Sequence, residues 1–386
     1  MIQSQAVNAG HNTWRRILQN EFFPTSRRRD IDGLRGLAVL SVMLFHAGWL
    51  QGGFIGVDIF IVISGYFIGY SALVTQPFQP MRFICRRLYR LLPALLCMIA
   101  AISAGMLWWV LQSDRADIAI NGAYALVYLS NIWASGHVGY FEGQSIAYPF
   151  LHTWSLSLEM QFYLVIFAVA IAVRLAPLRH MVVIGIFVLS LGYDLYSHFT
   201  GDTQGYYNIL DRLWEFSLGA MIWILPRPQA GRAVSNIVCG VAIALLVGVM
   251  FFYTLQYACP SYMIIVPCLA VMAIIMCPQH DVARMALVPL SPLGVVSYSV
   301  YLWHWPAIVV ANYLLQFQVH GMVMGGVLLA ALVVSLLSYV FVERVFLDYE
   351  GRLTPTARNY GALALVGACG GLAMILFYIS SVSRVH

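Results

Sequence analysis

Lysine is absent from this sequence: all 21 basic residues are arginine. Without lysine there is no GxxxxGK[ST] phosphate loop, and GxGxxG, HExxH and GxSxG are missing as well. The chain therefore does not read as a P-loop ATPase, a dinucleotide enzyme, a zinc protease or an elbow-type serine hydrolase. Charge of either sign is scarce, at 10% of residues against 61% hydrophobic. A soluble domain carries about 25% charged and about 45–50% apolar residues. That gap is larger than a buried core requires and points to an all-α polytopic membrane protein. The seven cysteines lie mostly inside apolar runs with no CxxC and no Cys/His cluster, so they read as small hydrophobes and no metal is expected. The first 30 residues are polar and basic without an apolar core, so no cleavable signal peptide is visible. The first spanning helix is then expected to be the targeting signal.

A spanning helix needs about 20 apolar residues. Eleven candidates stand out, at 32–50, 54–75, 90–111, 153–174, 180–198, 208–225, 234–254, 260–277, 293–314, 321–342 and 360–381. A twelfth apolar stretch, 118–134, carries Asn121, Asn131 and several tyrosines and is expected to be re-entrant or interfacial. With the N-terminus cytoplasmic, 17 arginines fall inside, three (Arg115, Arg212, Arg384) fall outside, and Arg35 lies in a helix. Eleven spans with the C-terminus outside satisfy the positive-inside rule best. The +5 net charge is thus an orientation signal and not a nucleic-acid footprint. The expected organisation is a basic cytoplasmic segment over 1–30, a membrane domain over 31–345, and a linker with one more helix over 346–386.

Ionisable groups inside spans are costly and mark function by default. Arg35 and His46 lie 11 residues apart on the first helix, a rise of about 16 Å and three turns plus about 20°. They share one face, with Arg35 at the cytoplasmic mouth and His46 in the outer half. Asp58, in the first turn of the next helix (FIGVDIFIVISGY), is expected at the depth of His46, where it can orient the imidazole or cap its own helix. LHTWSLSLEMQFYL adds His152 and Trp154 at the outer interface and Glu159 two turns further in. SYSVYLWHWPAI places Ser297, Tyr301 and His304 on one helical face beside Tyr298, with Pro306 expected to free backbone carbonyls. In RRLYRLLP, Arg86 and Arg90 are i, i+4 and with Arg87 form a phosphate-sized positive site, or else serve only as an anchor. Glu343 and Arg344 are expected to pair with each other or with that cluster.

These segments, DGLRGLAVLSVMLFHAG, GGFIGVDIFIVISGY, FICRRLYRLLPALL, LHTWSLSLEMQFYL and SYSVYLWHWP, occur in the order that marks acyltransferase family 3, which the chain resembles from about residue 30 to 345. These are bacterial inner-membrane O-acyltransferases that modify surface polysaccharides. Ile61 and Tyr66 stand where phenylalanine is frequent. The resemblance implies transfer of an acyl group, usually acetyl, from cytoplasmic acetyl-CoA or another acyl-CoA. The acceptor is a carbohydrate hydroxyl beyond the bilayer, as in a lipopolysaccharide O-antigen or an exopolysaccharide. It implies Arg35, Arg86, Arg87 and Arg90 as the acyl-CoA site and His46, Asp58 and Glu159 as the catalytic set. His152, Trp154, Ser297, Tyr298, Tyr301 and His304 are left for the pore or acceptor. Only SSVSRVH follows the last span, so the expected form is the stand-alone one, with any polysaccharide-assembly partner on a separate chain. A proton-coupled transporter and a non-catalytic assembly scaffold are the alternative classes.

Overall fold

A computed structural model describes residues 28–75, 78–137, 148–173, 176–201, 203–277 and 281–383. The expected N-terminal segment up to residue 27, part of the outer segment (138–147), Arg174 and Arg384 lie outside the described residues.

Every regular element among the described residues is helical. In chain order these are α1 (Arg29–His46), α2 (Gly56–Gly69), α3 (Pro80–Trp109), α4 (Gln112–Leu126), α5 (Ser130–His137), α6 (Trp154–Ala172), α7 (Ala176–Thr200) and α8 (Ile209–Met221). They are followed by α9 (Arg232–Phe252), α10 (Ile265–Met276), α11 (Asp281–Leu287), α12 (Ser291–Val295), α13 (Ser297–Leu315), α14 (Gly321–Ser338), α15 (Arg344–Arg352) and α16 (Pro355–Ser383). Short π turns extend α2 over Tyr70–Val74 and join α14 to α15 over Tyr339–Glu343.

Among the described residues, seven helices are long and apolar enough to cross a bilayer, or eight if the bent pair Tyr262–Met276 and Asp281–Val295 is one span. The chain is therefore a multi-pass membrane protein, but the composition count of eleven is not reproduced. The first expected span, α1, carries Arg29, Asp30, Asp32 and Arg35. The sixth, α8, has 13 residues, about 20 Å of helix against a hydrocarbon core of about 30 Å. The ninth, α13, is interrupted by serines, tyrosines and a histidine. These three are nonetheless helices, and much of each is buried: Asp211 to Ala220 of α8 without a break, and eleven residues of α13. The apolar helices α7 and α16 show the reverse, with only 22% of their spanning windows buried against 67% for Gln51–Val74. The polar helices α1, α8 and α13 thus sit inside, and α7 and α16 turn apolar side chains outward, the arrangement that hydrocarbon solvent enforces.

Close approach in the interior depends on glycine. A Cβ on Gly65 would lie 2.0 Å from the Phe216 carbonyl oxygen, and one on Gly219 would lie 2.0 Å from that of Val62, so α2 and α8 touch backbone to backbone. A Cβ on Gly294 would meet the Asp32 carbonyl at 1.7 Å, which fixes α12 against α1. The stretch 118–134 breaks at 127–129, where Tyr128 has φ 55°, into α4 and α5, neither long enough to span.

Candidate active site

α3 begins ten residues earlier than the apolar run, with Pro80 at its first turn, and so carries the arginine cluster on helix. Arg87 and Arg90, spaced i, i+3, line a cavity together with Arg35 of α1. Arg86 is exposed and does not line it. Of the three expected arginines of α3, Arg87 and Arg90 lie on the face toward the cavity and Arg86 lies off it. The Arg87 guanidinium lies 5.1 Å from the Tyr163 ring centre and 5.6 Å from that of Phe83, so it is held by cation–π contact.

Glu159 also lines the cavity, where it accepts hydrogen bonds from Ser64 Oγ at 2.7 Å and from the Tyr163 hydroxyl. It points at the arginine end and not at His46. Glu343, buried behind the wall, accepts from Ser299 Oγ at 2.8 Å and interacts electrostatically with Arg90 and Arg35. Arg344 instead approaches Asp348 at 3.7 Å, so of the two expected pairings Glu343 takes the one with the cluster. Ser297, Tyr298 and Tyr301 of α13 contribute to the lining, and the Tyr298 hydroxyl donates to the Leu91 carbonyl at 2.6 Å.

Away from the arginines the cavity ends at Val57, Phe60, Ser155 and Tyr301, all near the α1–α2 link or the start of α6. His46, His152 and His304 lie beyond this end and are not part of its lining. His304 Nδ1 sits 2.7 Å from the Tyr301 carbonyl oxygen and 3.2 Å from that of Val300. A carbonyl only accepts, so Nδ1 of His304 carries hydrogen and its Nε2 carries the lone pair of the neutral ring. That Nε2 is 3.0 Å from His46 Nδ1, with the ring planes 9° apart. His46 Nδ1 must then donate, which leaves the lone pair of His46 on Nε2. The carbonyls of α13 thereby set the tautomer of a histidine 258 positions away in sequence. His46 is half-buried and also packs on Trp305 at 4.6 Å, while His304 is fully buried.

Pro306 has the expected effect. It has no N–H to give to the Leu302 carbonyl, and His152 Nε2 occupies that acceptor at 3.1 Å. The His152 ring lies 5.7 Å from His304 and 5.5 Å from Tyr301. The Tyr301 hydroxyl donates to the His152 carbonyl at 2.8 Å and sits 2.8 Å from Ser155 Oγ.

Asp58 departs from expectation. Its carboxylate pairs with Arg212 Nη1, and the same nitrogen holds Glu215 Oε1 at 2.8 Å, with all three side chains at most 2% exposed. The stronger attraction explains this: a full guanidinium charge in a buried site outcompetes a neutral imidazole. Trp154 belongs to the same cluster, with the Arg212 guanidinium 5.5 Å from its ring and 4.9 Å from that of Tyr206. Neither Asp58 nor Trp154 lines the cavity. Arg212, counted among the outer loop arginines by composition, is a buried helical residue. Three ionisable residues in LDRLWEF, inside an apolar span, were the sequence signal for it. Among the described residues no three His, Cys, Asp or Glu side chains converge on a point that could hold a metal ion.

A helical membrane protein whose arginine-lined cavity stops against an oriented histidine pair fits the class of membrane-embedded group-transfer enzymes. The comparisons with known proteins make the class specific: the acyltransferase-domain family profile matches residues 28–343, and the chain belongs to that family. It is 67% identical over 386 residues, the full length of both chains, to a Komagataeibacter xylinus protein provisionally named membrane-bound transacylase BcsY. It is 34% identical over 345 residues to O-acetyltransferase OatA of Staphylococcus aureus, covering 81% of this chain and 56% of that one. Peptidoglycan O-acetyltransferase OatA of Listeria monocytogenes is 31% identical over 344 residues, covering 81% and 54%. No solved structure matches. The protein is an acyl-transferring membrane enzyme.

Proposed function

We propose that the chain is an O-acyltransferase of the bacterial inner membrane that moves an acyl group, in first place acetyl, from cytoplasmic acyl-CoA to a hydroxyl of a carbohydrate on the outer side. The observation that carries this reading is the cavity itself, with Arg35, Arg87 and Arg90 at one end and the oriented His46–His304 pair behind the other. Guanidinium groups suit the phosphates of CoA. The rise of about 16 Å between Arg35 and His46 suits an extended pantetheine arm. The arginine end is assigned to the cytoplasm by the positive-inside rule. The organisation proposed is a basic cytoplasmic segment over 1–30, the membrane acyltransferase domain over 31–345, and an additional helix with its linker over 346–386. The relatives named O-acetyltransferases support acetyl and a glycan acceptor.

In the reaction, Nε2 of His46 takes the proton of the acceptor hydroxyl, and the oxygen attacks the thioester carbon. The carbon–sulfur bond then breaks, and the CoA sulfur leaves with that proton. His304 receives the Nδ1–H hydrogen bond throughout and holds the ring in the productive tautomer, the role a carboxylate plays in other histidine-based sites. Transfer through an acyl-histidine uses the same nitrogen. Glu159, through Ser64 and Tyr163, shapes the donor end, and the Asp58–Arg212–Glu215 cluster holds the outer ends of α2, α6 and α8 together. Comparison of surface-glycan mass spectra from a deletion strain complemented with the wild-type gene or with His46→Ala tests this. An acyl mass increment restored by the first and not by the second is expected; restoration by both refutes the role of His46.

A further inference from the structure

We infer that Tyr301 is a gate between the donor cavity and the histidine pair, and that it suppresses hydrolysis of the acyl thioester until an acceptor is in place. The inference rests on the donor and acceptor sides proposed above. Four observations carry it. The cavity that holds the arginines ends on the Tyr301 ring, with Phe60 beside it at 6.3 Å. On its far side the same ring lies 5.4 Å from His304 and 5.5 Å from His152. Its hydroxyl is latched at two points, the His152 carbonyl and Ser155 Oγ, both at 2.8 Å. Finally, its own backbone carbonyl accepts the His304 Nδ1–H that fixes the tautomer of the pair.

One residue therefore closes the donor cavity with its side chain and orients the base with its backbone. The physical need is clear. His46 is partly exposed while His152 and His304 are buried, so a route that admits an acceptor hydroxyl to the base would admit water too. A thioester resting against His46 would be attacked by water by the same route as by a sugar: the water oxygen bonds to the carbonyl carbon, His46 takes the proton, the carbon–sulfur bond breaks, and free acid and CoA thiol result. Keeping reactive groups apart from water until the acceptor binds prevents this loss. The closed ring also seals a path that would otherwise run from the arginine mouth to the partly exposed histidine. Opening is a rotation of the Tyr301 side chain that breaks its hydroxyl's hydrogen bonds to the His152 carbonyl and Ser155 Oγ.

The test uses purified full-length protein in proteoliposomes and acetyl-CoA, and reads thiol release with and without a glycan acceptor, alongside label transferred to glycan. Tyr301→Phe removes both latches and keeps the ring. It is expected to raise the ratio of acceptor-independent hydrolysis to transfer roughly tenfold, the effect of losing two hydrogen bonds of ordinary net strength. Ser155→Ala removes one latch and is expected to raise hydrolysis by roughly threefold. It decides the matter if Tyr301→Phe does not fold. A hydrolysis-to-transfer ratio equal to wild type in the folded variant overturns the gate. Absence of transfer in the wild-type protein itself overturns the proposed function instead, so the two failures are distinct.

Discussion

Replacing His304 with phenylalanine separates orientation of the base from its presence. His304 is fully buried, and its polar contacts among the described residues are Nε2 with His46 at 3.0 Å and Nδ1 with the Tyr301 and Val300 carbonyls. Phenylalanine is somewhat larger but keeps a flat ring, and the carbonyls of α13 keep their helical partners, so the fold should lose about 1–3 kcal/mol. His46 stays in place but loses the acceptor that holds its Nδ1–H, and its ring is then free to adopt the tautomer with hydrogen on Nε2. Loss of an oriented general base costs on the order of 10²–10⁴ in rate, or about 3–5.5 kcal/mol in the barrier. The effect should fall on kcat. KM for acetyl-CoA should hold, because the arginines lie on the other side of Tyr301. His304→Gln can still present a carbonyl oxygen to His46 and should recover at least tenfold over the phenylalanine variant. Thiol release from acetyl-CoA with a glycan acceptor, followed in purified protein over a range of donor concentrations, gives both constants. A kcat for His304→Phe within twofold of wild type would refute the tautomer argument.

Arg90→Ala and Arg87→Ala should each raise KM for acetyl-CoA roughly tenfold or more with kcat little changed, whereas Arg86→Ala should leave KM within about twofold; steady-state kinetics distinguishes them. Arg212→Ala leaves Asp58 and Glu215 buried without their cation and should cost about 3–5 kcal/mol of stability, visible as a lower melting temperature in detergent. Gly219→Ala, which would press a Cβ to 2.0 Å from the Val62 carbonyl, should separate α2 from α8 and reduce the yield of monodisperse protein by chromatography.

Part of this site could be read in the sequence because it depends on spacing along one helix. Arg35 and His46 share a face by angular arithmetic, and Pro306 frees a carbonyl wherever it sits in a helix. Other parts depend on which helices meet. His46 lies on α1 and its hydrogen-bond partner on α13, and no local pattern selects His304 over Asp58, a residue much nearer in sequence. Asp58 was the natural choice until Arg212 entered the interior, and Arg212 was missed because 208–225 reads as an apolar span with its arginine at the outer end. The same cause explains the span count. The apolar runs at α1, α8 and α13 read as spans, but as helices they are too charged, too short or too polar to cross a bilayer unaided; they are shielded by other helices and carry the polar residues that build the interior. Which of Arg86, Arg87 and Arg90 turn toward the cavity depends likewise on how α3 packs, which spacing alone does not give.

The central claim, acyl transfer from one membrane face to the other by way of His46, is tested most directly in sealed proteoliposomes. These would hold purified protein in one orientation, radiolabelled acetyl-CoA on the arginine-bearing side, and a glycan acceptor only on the opposite side. Label on the glycan with wild-type protein, and none with His46→Ala incorporated to the same level, is the predicted result. Equal labelling with His46→Ala, or labelling only when donor and acceptor share one side, would contradict it.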